Sequence, residues 1–140
     1  MLSSQETNDL RAFAGAMIPA SARHGVPGAD DDKIFADILS SLDRDLNDVR
    51  AALKRLAGIA DIAADGRLKK ANAFRAEGGP SVVAIARAVL QCYYRDDRVM
   101  RALGQEPRSP FPKGHVIEQG DWSLLDPVKK RAPFWRKVPQ

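Results

Sequence analysis

The chain has 140 residues, 44% of them hydrophobic and 29% charged, with a formal net charge of +4 and a pI near 9.5. That length suits one domain, and no stretch approaches the roughly 20 consecutive apolar residues of a membrane span. From Arg95 to Gln140 there are ten Lys/Arg against six Asp/Glu, so the basic excess sits in the last third, where it suits a protein partner as well as a phosphate backbone.

The polar start Met1–Glu6, followed by Asp9 and Arg11, is expected to carry no secretory or twin-arginine signal. Ser3-Ser4-Gln5-Glu6 has capping-box spacing. A first helix is predicted from about Gln5 to Pro19, with Leu10, Phe13, Ala14, Met17 and Ile18 on one face. His24-Gly25-Val26-Pro27-Gly28 is a turn cluster. Asp30-Asp31-Asp32 opens a second helix, where carboxylates complement the N-terminal dipole; the spacing of a calcium loop is missing. Ile34, Phe35, Ile38, Leu39 and Leu42 form its apolar face. A third helix is predicted from about Asp45 to Ala63, with Leu46, Val49, Leu53, Leu56 and Ala60 as its packing stripe. Asp65-Gly66 reads as a turn and Arg67 to Glu77 as a fourth helix, with Leu68, Ala71 and Phe74 inward. After Gly78-Gly79-Pro80 the helix Ser81 to Arg95 carries Val82, Ile85, Ala86, Val89, Leu90 and Tyr93, and Pro80 suits its first turn. A short helix from Asp97 to Leu103 ends at Gly104. The sum is an all-α fold: a small bundle of about five helices over residues 1–103, then an extended Pro/Trp-rich tail over residues 104–140.

Six of the nine prolines and both tryptophans lie beyond Gly104. Such punctuation rules out a long helix; only Asp121 to Leu125 suits a short turn. Disordered tails are poor in aromatics, whereas this one holds Phe111, Trp122, Phe134 and Trp135. An aromatic side chain removes about 150–250 Å² from water when buried, and Trp, Tyr and Arg are enriched at interface hot spots. The tail is therefore expected to dock on a partner, to clip its own helices, or to do both. The expected interface residues are Tyr93, Tyr94, Phe111, Trp122, Phe134, Trp135 and Arg136.

The chemical inventory is sparse. There is no P-loop, no G-x-G-x-x-G and no G-x-S-x-G, and the two histidines, His24 and His115, lack zinc-ligand spacing. Cys92 reads as a small core hydrophobe. Asp43, Asp45 and Asp48 read as a solvated face. Tyr93-Tyr94-Arg95-Asp96-Asp97-Arg98 is the densest polar-aromatic cluster; one tyrosine is expected to face the core and the other an interface. The acids and arginines after them suit a helix start or a local ion-pair network. No catalytic, cofactor or metal residue is assigned to this chain.

The order Tyr93-Tyr94, Asp97-Arg98-Val99, Leu103-Gly104 and Pro110-Phe111-Pro112-Lys113-Gly114 resembles the gluconate 2-dehydrogenase subunit 3 family. Gly120-Asp121-Trp122-Ser123-Leu124-Leu125-Asp126-Pro127 and the closing Pro133-Phe134-Trp135 are similar to the ends of such subunits. Ala16-Met17-Ile18-Pro19 with Val26-Pro27-Gly28-Ala29-Asp30 resembles their N-terminal pattern. The resemblance implies a small subunit without a cofactor of its own, which stabilises or chaperones a large flavoprotein of the glucose-methanol-choline oxidoreductase type. That partner would bind FAD and oxidise a sugar, glycoside or alcohol, with a cytochrome c as a possible electron acceptor. Location follows the partner, either exported to the periplasm with it or cytoplasmic. A helical nucleic-acid-binding regulator is the alternative.

Overall fold

In the computed structural model, which describes residues 2–107 and 119–132, Ser3 starts the first helix, α1 (Ser4–Met17). The capping box is present: Ser3 Oγ accepts from Glu6 N at 3.2 Å, and Ser3 N donates to Glu6 Oε2 at 2.7 Å. Asp31 caps α2 (Asp32–Ser40) by accepting from Lys33 N and Ile34 N. A 3₁₀ turn at Asp43–Asp45 leads into α3 (Leu46–Leu56), and a second at Ile59–Asp61 precedes α4 (Ala64–Glu77). Pro80 sits in the first turn of α5 (Pro80–Arg95). Asp96 is extended, φ −67° and ψ 130°, so it ends α5 and caps α6 (Asp97–Ala102) by accepting from Arg98 N. Gly104, at φ +74°, takes the left-handed conformation just after α6.

These elements belong to a compact unit, Met1–Pro107; a second unit is Arg108–Gln140. In the first, α5 packs mainly on α3 and also on α2, while α1 lies on α4, α3 and the Ile59–Asp61 turn. The core joins Leu10 and Phe13 of α1, Phe35 and Ile38 of α2, Leu53 and Leu56 of α3, Phe74 of α4 and Ile85 and Val89 of α5. Phe13 and Phe74 meet edge to face at 5.9 Å. Each such side chain contributes about 1.5–3 kcal/mol by leaving water. The second unit holds a 3₁₀ turn, Trp122–Leu125, that runs into α7 (Asp126–Lys129). The described residues thus form an all-α protein of seven α-helices, with one isolated antiparallel bridge, Ser21 to Val26.

Several sequence expectations change. The third helix stops at Leu56, not near Ala63, because Ala57 is extended and Gly58 takes φ +74°. Asp65 and Gly66 lie inside the first turn of α4 rather than in a turn before it. Leu68 is 49% exposed. The side of α4 next to the Ala57–Ala60 backbone instead uses Arg67 and Lys70, which donate to Ala60 O at 2.6 Å and Ala57 O at 2.7 Å. Asp45 is no solvated acid: its side chain is 16% exposed and binds Arg87 at 2.7 Å, which holds its carboxyl below the usual range.

Candidate functional site

The segment between α1 and α2 is drawn tight by its own backbone. Ile18 O accepts from Ala29 N at 2.9 Å, and Ser21 and Val26 exchange two hydrogen bonds around a 3₁₀ turn at Ala22–His24. Gly28 fits because a Cβ there would lie 3.0 Å from Ala20 N. This packed loop receives the end of α5: Tyr93 OH donates to Pro27 O at 3.2 Å. Tyr93 is 5% exposed, and burial raises its phenol pKa.

Arg98 fixes α6 to the same place. Its guanidinium donates to both carboxylate oxygens of Asp31, at 2.6 and 3.2 Å, and to both of Asp96, at 3.0 and 3.2 Å. Lys33 lies 3.6 Å from Asp96, whose side chain is 4% exposed. The Arg98 hydrogen bonds hold the carboxyls of Asp31 and Asp96 below the usual range and raise the arginine in turn. A planar fork can satisfy two carboxylates where a lysine would reach one.

The result is an open groove of about 260 Å³ lined by His24, Val26, Tyr93, Tyr94, Val99, Ala102 and Leu103. Tyr94 packs edge to face on Tyr93 at 5.2 Å, yet it is 53% exposed. So one tyrosine faces the core and its neighbour faces outward. Val83, Leu90 and Tyr94 are all exposed and share one face of α5, at steps of seven and four. Leu90, expected in the core, belongs to this outer stripe. The helix is apolar on two sides, and the outer one ends at the groove.

Cys92 is buried, and burial pushes its thiol pKa up, away from a reactive thiolate. No cluster of three or more metal-ligating side chains occurs among the described residues, and no described helix is long and apolar enough to cross a membrane. The arginines are largely matched by acids: Arg11 with Asp32, Arg55 with Glu77, Arg87 with Asp45 and Arg95 with Asp37. What the groove can do is accept apolar side chains beside a polar tyrosine tip.

Trp122 lies in the second unit and is 65% exposed. Phe111, Phe134, Trp135 and Arg136, with His115 and the Pro110-Phe111-Pro112-Lys113-Gly114 segment, lie outside the described residues. Sequence reasoning missed the groove wall formed by His24 and Val26. It also missed the Asp31–Arg98 link across 67 positions, because local pattern carries no signal for such a pairing. Compared with known proteins, the chain matches no family model, no curated protein and no solved structure.

Proposed function

We propose that this chain is a non-catalytic accessory subunit of an FAD-dependent sugar or alcohol dehydrogenase, of the gluconate 2-dehydrogenase or glucoside 3-dehydrogenase type. It stabilises a large flavoprotein of the glucose-methanol-choline oxidoreductase type, which carries the FAD and the chemistry. One observation carries the reading. The two separate segments that resemble subunit 3, Val26-Pro27-Gly28-Ala29-Asp30 and Tyr93-Tyr94 through Leu103-Gly104, build one locus. They meet through Tyr93 to Pro27 and line the groove together. Within these segments Tyr94 and Leu103 are 53% and 57% exposed. Exposed aromatic and aliphatic groups around a groove suit a protein interface.

Co-expression with a glucose-methanol-choline flavoprotein encoded beside it tests the reading. One stable complex is expected on size-exclusion chromatography, with Tyr94→Asp weakening it. Two proteins eluting apart, with the flavoprotein soluble and fully active alone, would sink the idea.

A further inference from the structure

The second unit exposes four large apolar side chains on very little chain. Trp122 is 65% exposed, Leu124 75%, Leu125 42% and Val128 53%. All four fall within seven residues, and a surface of this kind marks an interaction site. The segment is also pre-shaped. Asp121 caps the 3₁₀ turn, its Oδ1 accepting from Ser123 N at 3.0 Å. Pro127 stands in the first turn of α7, Lys130 N donates to Asp126 O at 3.1 Å, and Lys129 reaches Asp126 at 3.4 Å. Isolated helices this short are not stable in water, so the caps and the proline are what favour the shape. Pre-shaping lowers the ordering cost on binding.

Charge identifies the surface that would receive it. Asp121 is engaged by Ser123 N and Asp126 by Lys129, while Lys130 and Arg131 make no ion pair among the described residues. The apolar groups are thus followed by two cations without an ion-pair partner among the described residues. A lipid surface fits less well: interfacial helices carry a polar face rich in Lys and Arg, whereas here Asp121 and Asp126 stand beside the apolar groups.

We infer that residues 121–131 are a docking peptide that places Trp122, Leu124, Leu125 and Val128 in an apolar groove with a carboxylate-lined rim on the flavoprotein. This rests on the accessory-subunit reading and adds a defined element and the chemistry of its receptor.

The test uses the full chain and the flavoprotein, with binding followed by interferometry and folding by circular dichroism. Trp122→Ala and Leu125→Ala are each expected to raise Kd by about 10- to 30-fold, as hot-spot truncations do. The double change Lys130→Glu with Arg131→Glu is expected to slow association about tenfold at low salt and little at high salt. All variants keep the wild-type helical signal. Wild-type binding with no loss in Trp122→Ala overturns the docking peptide and leaves the accessory-subunit reading in place. No binding by the wild type removes both. If Trp122→Ala instead abolishes binding to phosphatidylcholine–phosphatidylserine vesicles and leaves the protein complex intact, the segment is a lipid anchor and the inference fails.

Discussion

Arg98 is the residue on which the groove depends most directly, since it ties α6 to the start of α2 through Asp31 and Asp96. Asp96 is nearly enclosed, and a buried carboxylate left without its partner costs about 1–3 kcal/mol or more. Arg98→Ala is therefore expected to lower stability by about 2 kcal/mol at pH 7, read as a lower urea midpoint at unchanged slope. The pH dependence has a definite sign. Asp31 and Asp96 have lowered pKa values in the folded state, so their contribution is present in full above the ordinary carboxylate pKa. It fades as pH falls through the lower folded values. The gap between wild type and Arg98→Ala should stay constant above about pH 4 and shrink as pH falls below it; a gap that does not shrink in acid contradicts the ion cluster as its cause. Asp9 shows a limit of reading single residues. It is 2% exposed and accepts from Gly58 N at 3.1 Å and Ala60 N at 3.0 Å. In the sequence it is an acid interrupting an apolar stripe, and the two amides that make its burial tolerable are about fifty positions away.

Those amides also explain where the third helix ends. The apolar spacing continues from Leu56 through Ala60, so periodicity alone runs the helix past its true end. Two tertiary features stop it: the Asp9 carboxylate binds the Gly58 and Ala60 amides, and Gly58 adopts φ +74°. Gly58→Ala would place its methyl group in ordinary contact, 3.9 Å from Asp61 Oδ2, but at a backbone angle that costs an L-residue about 1–2 kcal/mol. Its thermal midpoint is expected to fall by about 4–8 °C, with helical content unchanged; a midpoint equal to wild type would show that the left-handed angle is not retained. Where caps and local spacing decide the outcome, the elements were legible: the Ser3 capping box, the Asp31 cap, Pro80 opening α5 and Gly104 closing α6. On α4 they were not. There Arg67 and Lys70 answer the carbonyls of the preceding turn, and Leu68 is displaced outward. The outer stripe of α5 was half legible, since Tyr94 stood out while Leu90 merged into the core pattern.

At the scale of the molecule, the apolar core among the described residues runs from Leu10 to Val99 and lies wholly within the Met1–Pro107 unit. That unit has the caps, the Arg98 cluster and every buried large side chain it needs, so a chain ending at Pro107 is expected to fold. Its helical circular dichroism should persist with one cooperative transition, displaced by less than about 4 °C. Binding should behave differently. Under the accessory-subunit reading the groove around Tyr94 and the peptide carrying Trp122 engage one flavoprotein, and a link between two weak contacts raises the joint affinity about 10²- to 10⁴-fold over either alone. The 1–107 chain is then expected to bind the flavoprotein at least about 100-fold more weakly than the full chain. Adding Tyr94→Asp to it should remove the remainder. Equal affinity of the short and full chains would place the whole interface on the helical unit, and loss of helical signal in the short chain would show that the last thirty-three residues help to build the core.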